Sequence, residues 1–368
     1  MDITIVCTHL GHARGGAEIN DLHLGSEFEE LGHSVTYTFQ RDKKRNPIEF
    51  DRRCAPVSCP YLYGISYDMP EPLGKVLRHL NQELFVRRLK KHRPALFRDT
   101  DMILTTGRPI LTRLSSIASA PVFHAVRGSV NSRYHRHLRR ADGLVFWGGC
   151  EESYEDPDMF ETPYITIDPG VNTDLFYSYT NSSVQALSRD EAVPQLLFVG
   201  RLEPVKRVDQ ILQAASILRD DGIPFHLTVI GDGSQFESLK QTASELAIED
   251  VVRFTGRVPH EDIPDYLNAS DVFVLSSRME NHPIALKEAM ACGTYAVAPD
   301  TGRIREMLDS ENRGQVYKPN TAESLAAVLE TVISTEAYEI STNTGPAQVA
   351  GWRENAEELI KLYRTVTG

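Results

Sequence analysis

Short apolar runs alternate with amphipathic stretches along most of the chain, and this alternation is what most constrains the fold. Each apolar run is bounded by turn residues, as buried strands are, and the amphipathic stretches between them have helical periodicity. Such alternation is typical of βα units, whose strands form parallel sheets covered by helices. The chain has 368 residues, more than one hydrophobic core usually supports. We therefore expect two α/β domains.

Two series of predicted strands divide the chain. The first comprises residues 3–7, 34–39, 102–105, 121–126, 143–147 and 164–167, and the second comprises residues 196–199, 225–230, 251–254, 272–275 and 295–298. Amphipathic patterns predict helices at 208–219, 235–246, 283–291, 322–333 and 352–364. Because the sequence turns polar between Thr173 and Pro194, we expect an N-terminal domain of residues 1–175 and a C-terminal domain of residues 176–349. Two open α/β domains in tandem bind ligands at the carboxyl ends of their strands, in the cleft between them.

Composition excludes several classes of protein. No run of about 18 apolar residues could span a bilayer, and the first residues lack the basic and apolar regions of a signal peptide. The five cysteines are an odd number without the spacing of metal ligands, so we expect reduced thiols in the cytoplasm. A net charge of −12 disfavours a general nucleic-acid-binding protein.

The charge is unevenly distributed. Residues 1–180 contain 22 Lys and Arg against 23 Asp and Glu, whereas the rest of the chain contains 17 against 28. Two basic stretches stand out in the first half, V-R-R-L-K-K-H-R (86–93) and R-Y-H-R-H-L-R-R (133–140). They either form solvent-facing helix surfaces or bind anionic lipid headgroups or a phosphorylated acceptor. The second interpretation predicts peripheral contact with the cytoplasmic face of a membrane.

Glu280 and Glu288 lie on either side of a predicted helix start, in E-N-H-P-I-A-L-K-E. Asn281 or His282 can cap this helix, and Pro283 suits its first position. The helical rise separates the two carboxylates by about 10 Å along the axis, which is long for a pair that shares a proton or flanks one bond. The helix N-terminus between them has free N–H groups suited to phosphate or sugar hydroxyls. Solvated surface glutamates are the alternative to this ligand-binding interpretation.

Two cations and a glycine pair form further candidate sites. Arg201 and Lys206 follow the strand that ends at Gly200, and they suit a diphosphate. Gly15 and Gly16 precede a helix after the first strand, where backbone N–H groups can approach a phosphate, although a simple turn explains them equally well.

The sequence lacks a standard cofactor motif. The segment G-D-G-S-Q-F (231–236) resembles a dinucleotide fingerprint, but Phe236 occupies the place of the third glycine, which disfavours NAD. The phosphate-loop motif of NTPases is missing from the sequence. We therefore expect no cofactor.

The motifs together resemble those of the retaining glycosyltransferases of GT-B family 4. The matching segments, in family order, are G-G-A-E (15–18), L-G-H-S-V (31–35), D-P-G-V-N-T-D-L-F (168–176), V-G-R-L-E-P-V-K-R (199–207), V-I-G-D-G (229–233), V-R-F-T-G-R-V (252–258) and the E-x7-E element (280–293). The resemblance implies two Rossmann-like domains facing each other across a cleft. It also implies that the C-terminal domain binds a nucleotide-sugar, that the N-terminal domain binds the acceptor, and that a helix of about residues 350–368 crosses back onto the first domain.

The resemblance also implies a role for each site residue. Arg201 and Lys206 would neutralise the donor diphosphate, Glu280 would hold the transferred sugar, and Glu288 would accept hydrogen bonds from the ribose. The residues implied in donor binding are Gly15, Gly16, Arg201, Lys206, Arg257, Val258, Glu280, Asn281, His282, Pro283, Ile284 and Glu288. The residues implied in catalysis are Glu280, Arg201, Lys206 and Arg127. Arg127 stands where many relatives carry a histidine, and a permanent cation there would hold an acceptor phosphate or the donor sugar.

These expectations define an enzyme. It would transfer a hexose-type sugar from a UDP- or GDP-sugar to a lipid-linked, glycan or polysaccharide acceptor with retention and without a metal ion. The alternatives are a nucleotide-sugar epimerase, a phosphorylase, for which the sequence shows no cofactor-lysine motif, and a non-catalytic partner of another transferase. The paired glutamates and both cations favour the transferase over the last of these.

Overall fold

A computed structural model describes residues 1–8, 10, 16–41, 52–59, 73–127, 135–153, 161–179, 193–280, 283–309, 313–339 and 351–368. The chain divides into two units. The first comprises Met1–Gly170 together with Ala350–Gly368, and the second comprises Val171–Val349.

The first unit is built on a seven-stranded parallel sheet. Its strands are β1 (Asp2–Cys7), β2 (Ser34–Arg41), β3 (Val57–Ser58), β4 (Met102–Thr106), β5 (Val122–Val126), β6 (Gly143–Trp147) and β7 (Tyr164–Ile167). They lie in the order β3-β2-β1-β4-β5-β6-β7. The α-helices between them are α1 (Gly16–Glu30), α2 (Leu73–His92) and α3 (His135–Leu138), and 3₁₀ helices cover Ala95–Phe97, Pro109–Ser116 and Cys150–Ser153.

The second unit repeats the pattern with six parallel strands. They are β8 (Gln195–Val199), β9 (His226–Ile230), β10 (Val252–Gly256), β11 (Val272–Val274), β12 (Tyr295–Pro299) and β13 (Gly314–Tyr317), in the order β10-β9-β8-β11-β12-β13. The helices are α4 (Val208–Asp220), α5 (Phe236–Glu245), α6 (Ile263–Asn268), α7 (Ile284–Cys292), α8 (Ile304–Asp309) and α9 (Ala322–Ser334), with 3₁₀ helices at Pro204–Lys206 and His260–Asp262.

Both faces of the first sheet are covered, which explains why apolar residues occur at successive positions of its strands. Successive side chains of a strand point to opposite faces. Ile5 of β1 therefore packs in one cluster with Phe28 of α1, and the next residue, Val6, packs in another cluster with Phe85 of α2. A sheet buried on both faces needs apolar residues at both alternating positions.

The last helix, α10 (Trp352–Thr367), belongs to the first unit. Trp352 is 3% exposed, and its ring lies 5.9 Å from that of Trp147 and stacks on His23 at 5.5 Å. The side chain of Asn355 donates to the carbonyl of Asp168 at 2.7 Å. A Cβ atom at Gly170 would lie 2.8 Å from the backbone N of Trp352, so the start of α10 packs directly on the backbone after β7.

The predicted strands of both series are confirmed, with ends that differ by at most two residues. Two further strands were not predicted. β3 has only two residues, and β13 (G-Q-V-Y) contains no apolar run. Both lie at the edges of their sheets, where burial is one-sided and the apolar pattern is weaker.

Candidate active site

Adjacent strands bring Lys206 and Glu280 together. Lys206 lies in the loop after β8, and Glu280 lies in the segment after β11, the neighbour of β8 in the sheet. Lys206 Nζ and Glu280 Oε1 form an ion pair, with 23% and 14% of their side chains exposed. The parallel order of the strands, which places both carboxyl ends at one edge, therefore joins two residues that lie 74 positions apart.

The two loops are also bonded through their backbones. The Ser276 hydroxyl lies 2.8 Å from the Lys206 carbonyl and 2.9 Å from the Arg207 carbonyl. The backbone N–H of Arg278 donates to the Val205 carbonyl at 2.8 Å. Arg207 has a left-handed backbone, with φ of 50°. These contacts hold the loop after β8, called the lysine loop below, against the segment that contains Glu280. They therefore fix the position of the ion pair.

The G-D-G segment after β9 supports the lysine loop from its other side. A Cβ atom at Gly231 would lie 1.8 Å from the Gly200 carbonyl oxygen, and one at Gly233 would lie 2.5 Å from the Leu202 carbonyl oxygen. The backbone N–H of Leu202 donates to the Asp232 carbonyl at 3.0 Å. Close packing of two loops therefore requires both glycines, and no dinucleotide is needed to explain them.

Helix α7 carries the second glutamate. Pro283 is its N-cap, with φ of −69° and ψ of 113°, so the helix begins at Ile284, one residue after the predicted start. Asn281 and His282, like Gly15 in the first unit, lie outside the described residues. Glu288 is in the second turn as predicted, and it is only 7% exposed.

Glu288 is bonded to a residue that the sequence did not indicate. His260 Nε2 donates to Glu288 Oε1 at 2.8 Å. This hydrogen bond raises the pKa of His260 above its ordinary value, and partial burial opposes the rise. The only local sequence signal is a histidine next to the acidic pair in P-H-E-D (259–262). Nothing in that stretch indicates contact with a glutamate 28 positions later.

The remaining predicted donor-binding residues of this unit are more exposed. Arg201 and Arg257 are exposed, and Val258 is half-buried. Within the described part of the chain, the side chain of Arg201 has no hydrogen-bond or ion-pair partner. Its guanidinium therefore differs from the Lys206 ammonium, which already has a carboxylate partner.

The first unit places Arg127 in a cluster of its own. Arg127 Nη2 pairs with Asp21 Oδ1 of α1, and the Thr106 hydroxyl donates to Asp21 Oδ2 at 2.7 Å. The guanidinium lies 4.9 Å from the centre of the Trp147 ring, a distance typical of cation–π contacts. Asp21 was not predicted, because it is separated from Arg127 by 106 positions. Gly16 is the first residue of α1, the helix that carries Asp21.

His124 lies on β5, three residues before Arg127, and it is fully buried. Its Nδ1 is 2.7 Å from the Thr105 hydroxyl. Burial, together with the charge of Arg127, lowers the pKa of His124 to about 3. The imidazole is therefore neutral near pH 7 and contributes no positive charge to the cluster.

The two basic stretches converge in the first unit. The stretch 86–93 forms the end of α2, and residues 135–140 of the second stretch include α3. Both helices contact the 3₁₀ helix Pro109–Ser116. Burial and the nearby charges of Arg113 and Arg140 lower the pKa of Lys90, as crowding of like charges does. Residues 133 and 134 lie outside the described part of the chain.

The described residues contain no cluster of three or more His, Cys, Asp or Glu side chains arranged as metal ligands. They also contain no helix that is both long enough and apolar enough to cross a membrane.

Comparison with known proteins identifies the kind of protein to which the second unit is similar. Residues 180–348 match the model of the glycosyl transferases group 1 family. This segment contains β8 to β13 and therefore Arg201, Lys206, Glu280 and Glu288. A D-inositol 3-phosphate glycosyltransferase from Streptosporangium roseum is 30% identical over 210 residues, which is 54% of this chain and 48% of the relative. The chain spans about half the length of the first such relatives that it matches.

Solved structures of glycosyltransferases share the fold over the whole chain. Sucrose-phosphate synthase from Thermosynechococcus elongatus is 20% identical, with a TM-score of 0.77 and coverage of 100% of this chain and 99% of that one. HepE of Anabaena in complex with UDP and glucose is 16% identical, with a TM-score of 0.67 and coverage of 100% and 98%. The predicted fold class, two Rossmann-like α/β domains as in GT-B glycosyltransferases, is therefore confirmed.

Proposed function

We propose that the protein is a retaining glycosyltransferase that moves a hexose-type sugar from a UDP- or GDP-sugar to a lipid-linked, glycan or polysaccharide acceptor. The observation that carries the proposal is the arrangement around α7. The Lys206–Glu280 ion pair lies just before the helix, and Glu288 lies in its second turn. This arrangement falls within the segment that matches group 1 glycosyl transferases.

The donor diphosphate binds Arg201 and Lys206. Arg201 is an exposed guanidinium, which can hold two phosphate oxygens at once, and Lys206 supplies a point charge beside it. The N-terminus of α7, a helix of nine residues, adds free N–H groups and the positive end of its dipole. Together these groups stabilise the negative charge that develops on the leaving diphosphate, and the proposal needs no metal ion for that step.

The two glutamates bind the parts of the donor on either side of the diphosphate. Glu280 accepts hydrogen bonds from the transferred sugar, and Glu288 accepts them from the ribose. Backbone N–H groups around His282–Ile284 help Glu280 to hold the sugar, and the base lies against Arg257 and Val258. The solved complex of HepE with UDP and glucose supports a donor of this chemical class.

Transfer proceeds on one face of the sugar. The bond between the anomeric carbon and the diphosphate oxygen breaks while the acceptor hydroxyl oxygen bonds to the same carbon from the same side. The acceptor hydroxyl proton passes to the departing phosphate oxygen. The configuration is therefore retained without a covalent enzyme intermediate, and the products are the glycosylated acceptor and a nucleoside diphosphate.

In this proposal the acceptor binds to the first unit. Arg127 holds an anionic group of the acceptor or the donor sugar, in exchange for part of its contact with Asp21. The basic surface around Lys90, Arg113 and Arg140 suits anionic lipid headgroups, so we include peripheral membrane contact in the proposal. Cosedimentation with vesicles that contain an anionic lipid, compared with neutral vesicles, tests this part: equal binding to both would contradict it.

A transfer assay tests the main proposal. The protein is incubated with radiolabelled UDP- and GDP-sugars and a panel of lipid-linked and oligosaccharide acceptors, with Glu280→Gln as the matched variant. We expect a labelled glycoside with unchanged anomeric configuration from the wild type and none from the variant. A changed nucleotide-sugar or free sugar made without acceptor would instead identify an epimerase. Nucleoside diphosphate binding without any product would identify a non-catalytic partner.

A further inference from the structure

His260 links two parts of the proposed donor site. It begins the 3₁₀ helix His260–Asp262, only two residues after Val258, and its side chain bonds to Glu288 on α7. The proposed contacts of the base and of the ribose are thus connected through one imidazole. Through this link, the position of the loop at Val258, which contacts the base in the proposal, determines the position of the Glu288 carboxylate, which binds the ribose.

The ring of His260 is held in place by the core. Its centre lies 5.0 Å from that of Phe176, which is 1% exposed. Even so, 43% of the His260 side chain remains exposed, whereas only 9% of the Glu288 side chain does. The imidazole therefore has a fixed side against Phe176 and a side open to solvent at the edge of the site.

Glu288 uses only one of its oxygens within the described residues. Oε1 accepts from His260, and the described residues offer Oε2 no hydrogen bond. A carboxylate with two oxygens can accept from two donors in different directions. A histidine that occupies one oxygen fixes the plane of the carboxylate and so fixes the direction of the other.

Two acidic residues act on His260. Glu261 adjoins His260 in the sequence and acts on it electrostatically, as Glu288 does. On α7, burial and the charge of Glu288 raise the pKa of the Cys292 thiol to about 12. The thiol is therefore neutral near pH 7 and adds no negative charge beside Glu288.

We propose that His260 is a positioning residue that orients Glu288 to accept a hydrogen bond from a ribose hydroxyl and thereby makes nucleotide binding selective for ribose. This inference rests on the proposed function, in which Glu288 binds the ribose of the donor. The bond between Oε1 and the imidazole remains in the complex, and Oε2 accepts from the ribose. Loss of the imidazole frees the carboxylate to rotate, so the bond to the ribose weakens even though Glu288 is present.

Equilibrium binding of UDP and GDP, each compared with its 2′-deoxy counterpart, tests the inference. The proteins compared are the wild type, His260→Ala, His260→Gln, whose amide can still donate to Glu288, and the control His226→Ala, at the opposite end of the sheet. We expect His260→Ala to lower affinity for the ribonucleotide about tenfold, as loss of one hydrogen bond to a charged group does, with little change for the deoxynucleotide. His260→Gln should restore most of this selectivity, and His226→Ala should match the wild type.

The outcomes separate the inference from the proposed function. If the wild type binds neither UDP nor GDP, the proposed function fails and the inference fails with it. If the wild type binds one of them but His260→Ala weakens the ribo and deoxy forms equally, only the role of His260 is overturned. The same holds if the Gln variant is no better than the Ala variant. Thermal unfolding of each variant checks that it is folded. If only the His260→Ala variant fails to fold, the comparison of His260→Gln with the wild type remains decisive.

Discussion

At the scale of single residues, the Lys206–Glu280 ion pair connects stability with activity. Both side chains are mostly buried, so removing the lysine leaves a carboxylate without its cation in a partly desolvated position, which costs roughly 1–3 kcal/mol. We expect Lys206→Ala to lower the melting temperature and to weaken both nucleotide binding and transfer. Lys240→Ala is the control, because that lysine lies exposed on α5. Equal effects of the two substitutions on nucleotide binding would contradict the assigned role of Lys206.

The His260–Glu288 pair gives a pH-dependent prediction. The hydrogen bond that His260 donates to Glu288 raises the pKa of His260, and the charge of Glu261 contributes in the same direction. The protonated imidazole thus stabilises the fold fully below the ordinary histidine pKa, and the stabilisation is lost as the pH rises through the raised value. We expect the difference in melting temperature between wild type and His260→Gln to be larger near about pH 6 than near about pH 9. A difference that grows with pH would show that the sign is wrong.

Some of these residues could be predicted from the sequence and some could not. Glu280, Glu288 and Lys206 stand in local patterns, at strand ends and a helix start, whose meaning depends on a few neighbouring residues. His260 and Asp21 acquire their roles from partners 28 and 106 positions away. Only the packing of strands and helices determines which distant residues meet, and no local pattern carries that information.

At the scale of structural elements, the loop after β8 packs on the loop after β9 with no room for a side chain at Gly231 or Gly233. Gly231 has φ of 143°, and an added Cβ would collide with the Gly200 carbonyl. Gly231→Ala should therefore displace the lysine loop and destabilise the protein by more than the ~1–2 kcal/mol of backbone strain alone. The matched control is Gly222→Ala, which has φ of 73° and no atom within 4 Å of the added Cβ.

Chemical denaturation distinguishes the two glycine variants. Gly222→Ala should show only the strain, whereas Gly231→Ala should show a larger loss of stability and also weaker nucleotide binding. Equal losses of stability in the two variants would mean that the loops after β8 and β9 can move apart without a cost in free energy. In the sequence these glycines only resembled a dinucleotide fingerprint, which Phe236 disfavoured. The contact between two backbones that explains them becomes visible only when β8 and β9 lie side by side.

At the scale of the whole molecule, the described residues form two parallel sheets, one in each unit. A helix from the far end of the sequence belongs to the first of these units. Helix α10 follows the second unit in the chain but packs on the first. The apolar periodicity of residues 352–364 predicted a helix, and periodicity alone cannot say which sheet it covers. Trp352 decides this in the structure, since it packs against Trp147 and the backbone at Gly170.

Trp352→Ala should therefore destabilise the first unit selectively. Replacing a buried tryptophan by alanine costs about 3–5 kcal/mol, and Arg353→Ala is the control on the same helix, because 57% of that side chain is exposed. Hydrogen exchange of the full chain can locate the effect. We expect faster exchange in β1 and β4 of the variant and unchanged exchange in β9 and β12. Equal acceleration in both sheets would show that the two units unfold as one cooperative structure, in which α10 stabilises the second unit as well as the first.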